Sequence, residues 1–199
     1  MQKIIDISDI NIFFNYDTKF QNNKISSDLI YKKQHYTALK MLKVILKKYY
    51  NISGRMFDVD KSISGKPYVF INGEKLCVSI SHSDQITVIG ISRYNFGIDI
   101  EIIKEFKYDL RFYSDFFTES EISYALMSRD VVQYSSILWT RKEAAIKYLD
   151  GGLKDLKELH RKKYGDVVLV SYIIGTKDNK YAFSCMTKSD KINLNSIVF

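Results

Sequence analysis

Apolar and polar residues alternate along Asn95-Phe-Gly-Ile-Asp-Ile-Glu-Ile-Ile103, with Phe96, Ile98, Ile100 and Ile102 in one phase. That period of two predicts a β-strand buried on one face, with Gly97, Asp99 and Glu101 together on the other. Upstream, residues 4–20 read as one or two strands, and Ser27 to Tyr50 as a helix. Leu39, Leu42, Leu46 and Tyr49 lie on one stripe of that helix, and Gly54 is its expected C-terminal cap. A turn at Ser64-Gly-Lys-Pro67 precedes a strand, Tyr68 to Ile71, which an Asn72-Gly73 hairpin turn joins to Lys75–Ser81. His82-Ser-Asp84 breaks that strand and Ile86 to Ser92 begins another. Arg93-Tyr-Asn95 then predicts a hairpin leading into the central strand.

Downstream, Thr118 and Glu121 have capping-box spacing, and Phe117 with Ile122 fits a hydrophobic staple. A short helix to about Arg129 follows, then a longer one from Val131 to Leu149 that ends at Asp150-Gly151-Gly152. Strands at Val167–Ile174 and Tyr181–Met186 complete the predicted elements. Leu39, Lys43, Lys48 and Tyr49 match Leu138, Lys142, Lys147 and Tyr148 at a constant offset of 99 residues. The expected fold is therefore α+β: a pseudo-dimer of two similar halves, 1–95 and 96–199, each a helix on a small, mostly antiparallel sheet.

Composition narrows the class. At 199 residues, 46% hydrophobic and with charges well mixed, the chain is globular and long enough to bury a core. No apolar run approaches the ~20 residues of a membrane span. Asp6 and Asp9 fall where a signal peptide would be apolar, so a cytoplasmic protein is expected. Cys77 and Cys185 lie in apolar, strand-like runs and read as buried free thiols. The net charge of +7 asks for an anionic partner. The lysines are dispersed, however, with no RGG run, zinc-finger spacing or RNP-like motif to mark a nucleic-acid surface.

Asp99 and Glu101 start roughly 6–7 Å apart on one strand face, a spacing suited to two oxygen ligands of a hard cation such as Mg²⁺. The bland alternative is a solvated acidic face on an edge strand. In Trp139-Thr-Arg-Lys-Glu-Ala-Ala-Ile-Lys147, helical spacing puts Trp139, Glu143 and Lys147 on one face. Glu143 and Lys147 read either as a surface ion pair, with Trp139 in the core, or as a third carboxylate and a phosphate-binding cation. His82, between two serines, and the turn residue Lys66 are structural when taken singly.

Gly65-Lys-Pro67, Ser79-Ile-Ser-His-Ser83, Gly97-Ile-Asp-Ile-Glu101, Trp139-x-x-Lys-Glu143 and Lys147 with Gly152-Leu153 occur together in order. In that order they resemble the 4′-phosphopantetheinyl transferase superfamily, most closely the surfactin-synthetase-activating type, a single-chain pseudo-dimer. The motifs span residues 65–153. The resemblance implies transfer of the phosphopantetheine arm of coenzyme A to a serine of an acyl or peptidyl carrier protein, releasing adenosine 3′,5′-bisphosphate. It implies Mg²⁺, with Mn²⁺ as a substitute, held by Asp99, Glu101 and Glu143. Lys147 resembles the pyrophosphate-binding lysine, Lys142 its neighbour in the reaction centre, and Glu121 a glutamate near the attacking serine. Lys66 and His82, with Ser81 beside them, resemble residues at the 3′-phosphate and adenine end of coenzyme A.

The basic residues of the first helix that grip the 3′-phosphate fall on Lys32 and Lys33, and Thr37 stands where an arginine is expected. Asp115 stands where the family carries an arginine before its paired phenylalanines. Glu121 also has the capping-box role, so two roles stay open for it. An acidic carrier suits a basic enzyme, and a pseudo-dimer with its site between its own halves implies a monomer with no membrane or nucleic-acid partner. Two other classes remain as readings: a non-catalytic coenzyme A or nucleotide-binding module of this fold, and a basic nucleic-acid-binding domain. The carrier, the pathway (fatty acid, polyketide or nonribosomal peptide) and tolerance of acyl-coenzyme A are not legible in the sequence.

Overall fold

The computed structural model describes residues 9–16, 27–52, 57–62, 65–71, 73–104, 114, 116–152 and 165–197. For 27–33, 35, 57, 58 and 197 only the backbone is described. Gly54, Ser64, Asn72, Asp115, Leu153 and the first residues of the predicted N-terminal strand lie outside the described residues, as do the side chains of Lys32 and Lys33. Three helices and two mostly antiparallel sheets give an α+β fold. The chain forms two compact units, Met1–Asn95 with Ser189–Phe199, and Phe96–Lys188.

The first unit is a six-stranded sheet with one helix on it. Its strands are β1 (Ile10–Tyr16), β2 (Phe57–Lys61), β3 (Pro67–Ile71), β4 (Glu74–Ser83), β5 (Ile86–Ser92) and β9 (Ile192–Ile197), in the order β2-β3-β4-β5-β1-β9. All neighbours are antiparallel except β1 and β9. Helix α1 (Ser27–Tyr50) follows β1 in the chain. Ala38, Met41, Leu42, Ile45 and Leu46 recur at helical spacing and pack on Phe13, Val69, Leu76, Val78, Ile89 and Ile91. Each fully buried aliphatic side chain contributes about 1.5–3 kcal/mol relative to exposure, so this seam dominates the unit. The helix ends at Asn51, left-handed with φ 56°, and Ile52 N–H donates to the Leu46 carbonyl at 2.9 Å. An asparagine, which tolerates the left-handed region, thus ends the helix three residues before the expected cap at Gly54.

The second unit contains β6 (Phe96–Ile102), β7 (Val168–Gly175) and β8 (Lys180–Thr187), antiparallel in the order β6-β8-β7. Helix α3 (Val131–Leu149) lies on this sheet, and α2 (Glu119–Met127) leads into it. Thr118 caps α2 with the full reciprocal capping box to Glu121. Helix α3 stops at Asp150, again left-handed, with Gly151 N–H donating to the Ile146 carbonyl at 3.1 Å.

Four sequence expectations change. Strand β6 does not form a hairpin with β5, whose two edges are taken by β1 and β4; β6 pairs with β8 instead. Residues 189–199 do not complete the second half, because β9 pairs in parallel with β1 and joins the first unit. Strands β2 and β9 are additional to those the pattern predicts: Phe-Asp-Val-Asp-Lys and Ile-Asn-Leu-Asn-Ser-Ile alternate, but they are short and half polar, and both lie at sheet edges. Finally, β6 is buried on both faces up to Ile100, and Asp99 is only 3% exposed.

Candidate active site

Gly97 determines how the site is built. A Cβ at this position would lie 2.1 Å from the Ala144 carbonyl oxygen and 2.4 Å from the Tyr148 backbone nitrogen. Only glycine lets the α3 backbone lie directly on β6. Because side chains alternate on a strand, Asp99 and Glu101 project from that same helix-facing side. On the helix, Thr140, Glu143, Ala144 and Lys147 follow three- and four-residue steps along one face.

The close approach brings Lys147 Nζ to Asp99 Oδ1 at 2.7 Å. Lys147 therefore pairs across to the strand rather than forming the ion pair with Glu143 that helical spacing allows. Asp99 Oδ2 is fully shielded from solvent. Burial raises Glu143 above the usual carboxylate range, the Asp99 charge raises it further, and Lys147 partly offsets both. Two carboxylates that repel one another in a half-dry site, with one ammonium paired to Asp99, are an electrostatic arrangement that a further cation relieves.

Glu101 shares the face of Asp99 and is half-buried at the end of β6. Among the described residues no three His, Cys, Asp or Glu side chains are gathered as a ready-made metal cluster. The donor chemistry nevertheless fits a hard cation. Asp99 and Glu143 are close enough for their charges to interact, both are carboxylates, and Glu101 lies one strand repeat from Asp99.

Lys142 points elsewhere. Only 6% exposed, it places Nζ 3.0 Å from Glu121 Oε2 and 5.4 Å from the centre of the Phe117 ring. The same Glu121 oxygen accepts the Thr118 N–H at 2.8 Å. Glu121 therefore closes the capping box and holds a buried lysine at once. Trp139 packs edge-on to Phe116 and Phe117, at 5.8 and 6.3 Å between ring centres, and fixes the loop before α2 against α3.

The remaining predicted positions belong to the first unit. Lys66 Nζ donates to Asn95 Oδ1 at 2.7 Å. Ser81 is buried and His82 half-buried near the end of β4, opposite Val88 and Thr87 of β5. Both cysteines are free thiols, Cys77 half-buried and Cys185 buried, and burial pushes the Cys185 thiol up to about 12.

Residues 95–189 match the model of the 4′-phosphopantetheinyl transferase superfamily. The matched segment is almost the same as the second compact unit, Phe96–Lys188. The second unit is thus the part of the chain that is similar to that superfamily. A curated relative, 4′-phosphopantetheinyl transferase gsp of Aneurinibacillus migulanus, is 38% identical over 95 residues. That stretch is 47% of this chain and 38% of the relative, so the match reaches well under half of the relative's length. The carboxylates, both lysines and Gly97 all fall within the superfamily segment.

The sequence did not reveal how the helix is seated. Gly97 was visible only as a member of an alternating strand, and its contact with α3 depends on a helix about 50 residues away in the chain. Thr140, Ser171 and Ser184 form a hydroxyl cluster with no sequence signal beyond small polar residues in otherwise apolar elements.

Proposed function

We propose that this chain is a 4′-phosphopantetheinyl transferase. It moves the phosphopantetheine arm of coenzyme A to a serine hydroxyl of an acidic acyl or peptidyl carrier protein and releases adenosine 3′,5′-bisphosphate. The observation that carries this reading is the Asp99–Glu143–Lys147 constellation within the superfamily segment. The serine Oγ attacks the phosphorus bearing the pantetheine arm, and the pyrophosphate P–O bond to the adenosine bisphosphate breaks. Negative charge grows on the phosphoryl oxygens in that step.

Asp99, Glu143 and Glu101 would hold Mg²⁺ or Mn²⁺, which supplies charge neutralisation at the pyrophosphate when bound. Lys147 has one N–H fixed on Asp99 and presents its other donors to phosphate oxygens. Preorganised in this way, it stabilises the charge as it develops and needs little reorganisation. Glu143 lies above the usual carboxylate range, which suits it to take the serine proton directly or through a water. Lys142, locked on Glu121 and Phe117 rather than on Asp99, would supply a second ammonium beside the carboxylate cluster, and Glu121 acts by holding it there. Lys66, Ser81 and His82, with Lys32 and Lys33 of α1, bind the adenine and 3′-phosphate end of coenzyme A. The +7 charge attracts the acidic carrier, and the protein works as a cytoplasmic monomer. Among the described residues no helix is long and apolar enough to cross a membrane.

The test is the intact mass of small apo carrier proteins of several classes after incubation with this protein, coenzyme A and Mg²⁺. Addition of one phosphopantetheine, blocked by a chelator and slowed roughly 10²–10³-fold by Asp99→Ala or Glu143→Ala, is the expected result. Coenzyme A binding without transfer to any carrier would favour a non-catalytic binding module. Carrier-independent, steeply salt-dependent binding of oligonucleotides would favour a nucleic-acid-binding protein.

A further inference from the structure

Four polar side chains outside the proposed chemistry form one continuous hydrogen-bonded chain in the second unit. Arg141 Nε donates to Ser171 Oγ at 2.9 Å. Ser171 and Ser184 hydroxyls are 2.9 Å apart, and Ser184 and Thr140 hydroxyls 2.8 Å apart. Thr140 Oγ1 also donates to the Ile137 carbonyl at 3.0 Å.

The direction of every bond follows from the two ends. A hydroxyl has one proton, and that of Thr140 is committed to a carbonyl, which can only accept. Ser184 must therefore donate to Thr140, which leaves Ser184 to accept from Ser171. Ser171 in turn accepts from the guanidinium, which can only donate. Thr140 and Ser184 are fully buried, so removing either hydroxyl leaves a partner unsatisfied.

The two anchors lie beside the carboxylates. Ser184 is the direct cross-strand partner of Asp99, and Ser171 is the next position on the same rung. Thr140 is one helical turn before Glu143 and two before Lys147, on the same face of α3. The bond between Thr140 and Ser184 thus ties the helix to the sheet at the level where Glu143 meets Asp99. Gly97 permits the close approach but does not resist sliding or rotation of the helix; the directed hydroxyl chain does.

We infer that Thr140, Ser184, Ser171 and Arg141 are positioning residues that fix the separation of Glu143 from Asp99 and so tune cation binding; this rests on the transferase reading above. The experiment uses the full chain with Mn²⁺ as the probe, free Mn²⁺ being measured by electron paramagnetic resonance without coenzyme A or carrier. Thr140→Val keeps the side-chain shape without the hydroxyl, whereas Thr140→Ser keeps the hydroxyl and loses a methyl. Thr140→Val should weaken Mn²⁺ binding about tenfold, in the range of outer-shell substitutions at metal sites, and Thr140→Ser should stay within roughly twofold of the parent. Unchanged affinity in Thr140→Val, whatever its melting temperature, overturns the inference, as does an equal loss in both variants. If the parent protein binds no Mn²⁺, the cation reading fails separately, and crystal structures of the two variants decide the positioning role. Displacement of α3 on β6 and β8 in Thr140→Val alone supports it, and superposable helices refute it.

Discussion

The two units solve the same packing problem with different chemistry. In each, one amphipathic helix lies on a mostly antiparallel sheet and ends at a left-handed residue, Asn51 or Asp150, and these are also 99 positions apart. Under α1 the sheet presents Phe13, Val69, Leu76, Val78, Ile89 and Ile91, and the seam is apolar throughout. Under α3 the first strand presents Gly97 and Asp99, beside Ser184 and Met186 of the second. The matched lysines show the consequence. Lys43 is exposed and Lys48 lies over the Tyr49 ring at 5.4 Å, whereas Lys142 is buried on Glu121 and Lys147 is held by Asp99. The first seam provides stability. The second places unlike and like charges among partly buried residues of its own unit, where they interact strongly and are costly to leave unpaired. The lesson is that a repeated helix pattern preserves architecture, while the facing strand decides whether its lysines are surface charge or machinery.

Substitutions at matched depths sharpen this contrast. The largest stability loss belongs to the apolar seam: Leu46→Ala should cost about 2–5 kcal/mol, read from urea unfolding, because the fully buried site collapses only in part. A loss below about 1 kcal/mol would show that α1 is not the keystone of its unit. Next comes Gly97→Ala, whose methyl meets backbone rather than a movable side-chain end. It should cost about 1–3 kcal/mol or more and also displace α3 from Asp99, so that Mn²⁺ binding falls with stability. Retained Mn²⁺ affinity in this variant would separate helix seating from the carboxylate site.

The lysine pair comes third. Lys142→Met removes the cation that Glu121 faces and should cost about 1–3 kcal/mol, tempered by the partial exposure of Glu121. Lys43→Met should stay within about 0.5 kcal/mol. Equal effects in thermal melts would erase the proposed difference between the halves.

The smallest effect concerns pH. The carboxyl of Glu143 is raised on folding, so its contribution to stability is present at low pH and is lost as pH rises through the folded value. Glu143→Gln should therefore melt higher than the parent at neutral pH without metal, and the advantage should vanish on acidification below the ordinary carboxylate range. A Gln variant less stable at neutral pH would mean that Glu143 is held by favourable partners rather than by burial and repulsion.

Local patterns carried much of this in the sequence. The 3.6-residue stripe specified α1 because its buried residues recur at helical spacing, Asp150-Gly151-Gly152 marked the end of α3, and capping chemistry placed the start of α2 at Thr118. The alternation 96–102 put Gly97, Asp99 and Glu101 on one side of a strand because a strand's period is two whatever its neighbours. The motif order pointed to the superfamily for the same reason, although its span, 65–153, only partly overlaps the matched residues 95–189.

Partnership across distance was not legible. That β6 pairs with β8 rather than β5, and that β9 returns to β1, depends on which edges remain open once other strands have paired. Lys147 selects Asp99 over the nearer-in-sequence Glu143 because the glycine contact brings the strand carboxylate under the helix. The course of the hydroxyl chain from Arg141 to Ile137 depends on three separate elements arriving at one rung. The sequence set the periodicities and the side chains available, since both follow from local backbone geometry. Which of those side chains meet, and in what dielectric, was decided only by tertiary packing, because burial and charge pairing are properties of neighbours distant in the chain.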